Sequence, residues 1–257
     1  MGAPSAALVG SACAAGIVVL RLSPTARAWL FAFIWKHAGT SLADGMMRER
    51  KEALVRRARL EGRVLDVGSG TGTQLKYVCG AAAPRVRELV CVEPNPFFHA
   101  RLRAAIRVAE DDAARAGVRV SISLFEGTLA QYAAATGGAA AGSFDAITCL
   151  LVLCSVPDVD AALSECAALL RPGKGQLLFL EHVAAEPGWR RAAQSAMQPL
   201  WNLCGDGCQL CRDTGAALDR IGERTGRWVR RSSCESARPR AGWARIMPMI
   251  CGVCEPR

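Results

Sequence analysis

Residues 64–75 read VLDVGSGTGTQL: a short apolar run, an acid at Asp66, then Gly68, Gly70 and Gly72 alternating with Ser69 and Thr71. Glycine has no Cβ, so alternate glycines after a strand let bare main chain approach a ligand closely. A helix beginning beyond such a loop adds free N–H groups and a partial positive charge. A second carboxylate, Glu93, ends the next apolar run, in ELVCVEPNP. At the end of the second strand of an open α/β sheet, a carboxylate can accept both hydroxyls of a ribose. The loop is not the G-x-G-x-x-G of a dinucleotide site, because its last position is Thr73. It is not a Walker loop either, since no Lys follows the glycines.

Written as acid-x-G-x-G-x-G, the loop resembles motif I of class I S-adenosylmethionine-dependent methyltransferases, where it holds the methionyl part of the donor. On that resemblance the expected donor contacts are Asp66, Gly68, Ser69, Gly70, Thr71 and Gly72 in the loop. Glu93, Pro94 and Asn95 follow the second strand. Gly127 and Thr128 end the third, where an adenine edge would lie, and Leu150 ends the fourth.

The three histidines are His37, His99 and His182. His182 alone falls at the carboxyl end of a central strand, beside the crevice where ligands bind in open sheets. The range in which histidine ionises suits a general base. The competing reading is a structural histidine that orients Glu181. Cysteine is abundant, with 12 residues. Cys91 and Cys149 sit in strand-like runs, where a thiol serves as a small buried hydrophobe. The spacing shows no even lattice of half-cystines, and a chain of this length needs no staples, so a reducing, cytosol-facing domain is expected. Cys204, Cys208 and Cys211 have the C-x3-C-x2-C spacing of a radical iron–sulfur motif, but they come late, after a complete glycine-loop pattern. With Cys251 and Cys254 they could hold zinc, yet that second pair lies in a strand-like run. No metal is expected.

These residues need a sheet to position them. VRVSISLFEGT predicts a third strand, SFDAITCLLVLCSV a fourth and GQLLFLEHV a fifth. A helix from about 158 to 170 stops at RPGKG, and segments near 226–234 and 243–253 supply late edge strands. QYAAATGGAAAG reads as a flexible loop. Strands alternating with helices predict an α/β fold, a parallel sheet with helices on both faces; the resemblance of the glycine loop implies that it is the Rossmann-like, seven-stranded class I methyltransferase sheet. Residues 184–212, with Trp189, Met197, Trp201 and Leu203, are expected to form an apolar lid over the acceptor.

Three segments follow: an N-terminal hydrophobic membrane anchor at 1–36, a basic amphipathic helix at 37–62 and the catalytic domain at 63–257. No charged side chain lies between Gly2 and Leu20, and Trp29 and Trp35 flank a second apolar burst. Met46, Met47, Leu54 and Ala58 mark the apolar face of the basic helix. Arg48, Arg50, Lys51, Arg56, Arg57 and Arg59 give it affinity for an anionic membrane surface. The 257 residues are 51% hydrophobic and 21% charged, which excludes wholesale disorder. The formal net charge is +9, but aromatics are only 6%, too few for stacking platforms on single-stranded nucleic acid. No nucleic-acid partner is expected.

The runs FDAITCLLVLCSV, LRPGKGQLLFLEHVAAEPGW and QPLWNLCGDGCQLCR resemble the thiol S-methyltransferase family, also called methyltransferase-like seven. LVLCSV, EHVAAE and DGC-x-L are the parts most particular to it. The resemblance implies S-adenosyl-L-methionine as cofactor and small alkyl thiols or hydrogen sulfide as acceptors. It also implies attachment to the endoplasmic reticulum membrane and lipid droplets, with the catalytic domain facing the cytosol. Glu93 stands where the family usually has Asp, Ser69 where Cys is common, Cys211 for Thr and Met249 for His. Alternative readings are a lipid, quinone or arsenical acceptor, or a docking protein that retains the fold without turnover.

Overall fold

The computed structural model describes residues 16, 18–21, 23–235 and 247–257, except for the side chains of 38–43 and 231–235. Residues 1–15, 17 and 22 of the expected anchor lie outside the described residues. Ser23 caps helix α1 (Pro24–Ile34) by accepting from the Ala26 N–H, and Pro24 occupies the first turn, where no intrahelical N–H is lost. A π-helical turn (Trp35–Gly39) leads into α2 (Thr40–Ala58). No described helix is long and apolar enough to cross a membrane.

The basic helix α2 is part of the globular body, packed against β5 (Gln176–His182) and β7 (Met249–Pro256). Leu54 and Ala58 are buried and Met47 packs against the same core, as expected, whereas Met46 is exposed and Val55 joins the buried face. Lys51 is only 3% exposed and pairs with Asp44 at 3.4 Å, and burial pushes its pKa down. It is thus withdrawn from any membrane surface. Asp44 also accepts from Lys76 at 2.6 Å and from the Tyr77 hydroxyl at 3.0 Å, tying α2 to the short helix α3 (Leu75–Val78).

The strands β1 (Glu61–Val67), β2 (Arg85–Val92), β3 (Ser121–Phe125), β4 (Ala146–Leu150), β5, β6 (Trp228–Glu235) and β7 form one sheet in the order β3-β2-β1-β4-β5-β7-β6. β1 to β5 run parallel, and β7 lies antiparallel between β5 and β6. Seven strands were expected. The second late strand, however, is internal, because β7 completes the open side of β5 as well as pairing with β6.

Alternate residues of each strand face opposite layers. Leu65, Val67, Ile147 and Phe179 pack with α5 (Leu129–Ala135), α6 (Val159–Leu169) and α8 (Thr214–Thr225). Val64, Leu89, Leu178 and Leu180 pack with α2, α3 and α4 (Pro96–Arg115). Part of the expected loop after β3 is helical: Thr128 and Gln131 form a reciprocal capping box that starts α5. Cys91 and Cys149 are buried in strands, as expected. Cys251 is disulfide-bonded, a bond that the cysteine spacing does not signal.

At the opposite end of the sheet from the glycine loop, Asp145 accepts from the Arg63 N–H at 2.9 Å and from the Arg171 guanidinium. It ties the start of β4 to β1 and β5. Asp145→Ala leaves a part-buried donor and a cation without their acceptor. It should lower unfolding free energy by about 2 kcal/mol, read from urea denaturation of the full chain.

Candidate active site

The site is built at the carboxyl ends of β1, β2, β4 and β5. After β1 the chain folds over the end of β2, and the Gly68 and Ser69 N–H groups both donate to the Val92 carbonyl, at 2.8 and 3.2 Å. All three loop glycines are left-handed: φ is +70° at Gly68, +56° at Gly70 and +80° at Gly72. A Cβ on Gly68 would stand 2.4 Å from Val152 Cγ2, and one on Gly72 would stand 2.7 Å from Ala105 Cβ. Those two glycines are needed for packing. A Cβ on Gly70 would meet nothing within 4 Å. Gly70 is therefore bare main chain facing open space, the arrangement a close ligand requires.

Glu93 organises the other side of this loop. One carboxylate oxygen accepts from the Gly70 N–H at 2.7 Å and the other from the Asn95 N–H at 2.8 Å. Its carbonyl accepts from the Gly127 N–H at 3.1 Å and lies 2.9 Å from His99 Nε2. Burial pushes its pKa up to about 6, while the two backbone donors pull the other way. Each carboxylate oxygen retains lone-pair capacity for a further donor.

Asn95 follows Pro94 and caps α4. Its Oδ1 accepts from the Phe97 N–H at 3.0 Å, and its amide donates to the Ala28 carbonyl of α1 and to Asp206, both at 3.1 Å. Gly127 borders Glu93 directly. The Thr128 hydroxyl is committed to capping α5. Leu150 is buried at the end of β4 and leads into Leu151, a non-glycine residue at φ +67°. Asp66 does not reach the loop surface. One of its oxygens accepts from Thr148 at 2.6 Å, the other is buried without a partner, and burial raises its pKa. Thr71 Oγ1 is likewise buried without a partner.

A second carboxylate sits at the end of β5. Glu181 accepts from the Val152 and Leu153 N–H groups, each at 2.8 Å, and from Cys154 N–H at 3.3 Å. Burial pushes its pKa up to about 7 against those donors. It fixes the loop after β4. Arg212 grips the same loop by donating to the Leu153 and Val156 carbonyls, both at 2.6 Å.

His182 does not orient Glu181. It ends β5 at 3% exposure, with Nε2 3.0 Å from Cys208 Sγ and Nδ1 buried without a partner. Burial pushes its pKa down to about 4. That makes it a weak acceptor for a thiol proton, so the expected general-base role is not supported by its surroundings. The segment expected as a lid contains α7 (Trp189–Cys204), whose Trp189 is exposed and whose Trp201 packs beside Cys154, Cys208 and Leu210. The roles of Asn95 as a tie and of Asp206, Glu181 and Arg212 are not signalled by local sequence.

A sequence model described as a methyltransferase domain matches residues 35–227. Thiol S-methyltransferase TMT1A of Homo sapiens is 36% identical over 158 residues, 61% of this chain and 58% of that protein. Thiol S-methyltransferase TMT1B of Homo sapiens is 33% identical over 157 residues, 61% and 57% of the two chains. The matches thus span a little over half the length of these relatives. An O-methyltransferase family protein from Burkholderia thailandensis superposes with a TM-score of 0.57 at 15% identity, over 80% of this chain and 55% of that one. An arsenic(III) S-adenosylmethionine methyltransferase from Chlamydomonas reinhardtii does so at 0.54 and 18%, over 76% and 63%. At such identities the likeness is one of fold. The matched span includes α2, the glycine loop and both buried carboxylates, and the chain belongs to the methyltransferase domain family.

Proposed function

We propose that this chain is an S-adenosylmethionine-dependent methyltransferase that methylates the sulfur of small alkyl thiols or hydrogen sulfide at a membrane surface. The observation that carries the reading is the open main chain at Gly70 joined to Glu93. The residues present fit the donor. Gly70 leaves the space a Cβ would occupy, and Glu93 offers acceptors for ribose hydroxyls. When bound, the donor supplies an electrophilic methyl group on a sulfonium sulfur. The likeness to thiol S-methyltransferases supports sulfur as the acceptor atom. A thiol of pKa about 8.5 is already part thiolate at neutral pH, so solvent can take its proton and the protein's task is positioning.

Attachment to the cytosolic face of the endoplasmic reticulum or to lipid droplets belongs to the same proposal. Its support is the exposed apolar surface of α1 and α7, which pack against each other. Trp29 and Phe33 on α1 are 53% and 51% exposed, and Trp189 and Leu200 on α7 are 66% and 69% exposed. Large apolar groups clustered on neighbouring helices mark a docking surface.

Detergent-solubilised full chain with labelled donor should yield methylthioether from small thiols, and no product from lipids or quinones. Product from lipids or quinones alone would replace the thiol assignment. The pH dependence follows from Glu93. Its folded pKa, near 6, lies above the ordinary 4.5, so the stability it contributes is present at low pH and lost as pH rises through 6. Donor binding runs the opposite way, because hydroxyl recognition needs the carboxylate. Calorimetry should show affinity constant above about pH 7 and about tenfold weaker at pH 5. Flat affinity across that range would remove Glu93 from donor recognition. The double variant Trp29→Ser, Leu200→Ser should reduce flotation with anionic vesicles several-fold at unchanged donor affinity; undiminished flotation would place the docking surface elsewhere.

A further inference from the structure

Cys154, His182 and Cys208 come from three distant segments and meet at one point. Their ligand atoms all lie within 4.8 Å of one another, and all three residues are buried, at 4%, 3% and 8% exposure. Each belongs to one of the segments LVLCSV, EHVAAE and DGC-x-L. We propose that these three side chains form a binding site for a single Zn2+ ion.

The donor set suits the ion. Zinc takes thiolate and imidazole ligands, and two cysteines with one histidine are three protein ligands, leaving a fourth position for a non-protein ligand. Uptake releases the two thiol protons to solvent. Two thiolates and Zn2+ then sum to zero charge, which a buried pocket lined by Leu210 and Trp201 tolerates far better than a free ion. Without the ion, the imidazole is held by one thiol contact at 3.0 Å, its other nitrogen having no partner.

The site is also preorganised. Glu181 holds the Cys154 N–H, and the Gln209 N–H donates to the Cys154 carbonyl at 2.9 Å, which locks the two cysteine loops together. The Gln198 amide donates to the Cys208 carbonyl at 3.1 Å. Gly207, at φ +86°, passes so close to the Ser155 carbonyl that a Cβ would stand 2.9 Å away. Both loops are thus fixed by contacts that do not involve the sulfur atoms. The cysteines that neighbour Cys208 in sequence are not part of the set: Cys204 Sγ contacts the Leu200 carbonyl and Cys211 Sγ the Ser195 hydroxyl.

The test is elemental analysis of full-length protein purified without chelator. About one zinc per chain is expected, retained in Cys204→Ser and Cys211→Ser and lost in Cys208→Ser and His182→Asn. Two measurements on the unmutated chain guard against variants that fail to fold. Zn2+ added to chelator-stripped protein should raise the melting temperature saturably. Co2+ in its place should give a thiolate-to-metal absorption band. Stripped protein that stays folded and takes up neither ion overturns the proposal. So does iron in place of zinc, or zinc held equally by Cys208→Ser and His182→Asn. None of these readouts depends on methyl transfer.

Discussion

The Glu93 carboxylate bridges two backbone N–H groups from segments that would otherwise be independent, Gly70 in the loop after β1 and Asn95 after β2. Neither donor has a helical or ladder partner, so the carboxylate sets the distance between the glycine loop and the end of β2. Its carbonyl, accepting from Gly127, extends the same tie to the segment after β3. One residue therefore spaces three strand ends. The cost is a carboxylate taken out of water, visible in its raised pKa, and the two donors offset part of it.

Glu181, at the end of β5 three strands along the sheet from β2, repeats the device on the other side of β1. It too is a buried carboxylate at a strand end, and it too accepts backbone N–H groups, here from Val152, Leu153 and Cys154. It steadies the turn in which Leu151 takes a left-handed conformation, which costs a non-glycine residue about 1–2 kcal/mol. Val152 in turn fills the space where a Cβ on Gly68 would stand. The two carboxylates thus hold two neighbouring loops, which meet where Val152 packs against Gly68.

The glycine loop and its acid were legible because strand, loop and acid are local, and their backbone demands are written in residue type. The capping box at Thr128 and Gln131 escaped the sequence reading, obscured by the glycines and alanines that follow. Lys51 falls among the cations expected to face a membrane because its neighbours are basic, although Asp44 stands two helical turns away on the same face. The insertion of β7 between β5 and β6 depends on which sheet edge is left open, a tertiary fact. The meeting of Cys154, His182 and Cys208 could not be found by spacing at all. Spacing grouped Cys208 with Cys204 and Cys211, whereas the fold brings it to a strand end and a loop far away in sequence.

The bond from the Asn95 amide to the Ala28 carbonyl changes how the first helix should be regarded. It is a strut seated on the same residue that receives one arm of the Glu93 bridge, rather than a leash that could be trimmed to improve solubility. A shortened protein would keep its strut only if cut ahead of Ser23, whose hydroxyl starts that helix. By the same linkage, any force that tilts the strut would bear directly on the Glu93 bridge.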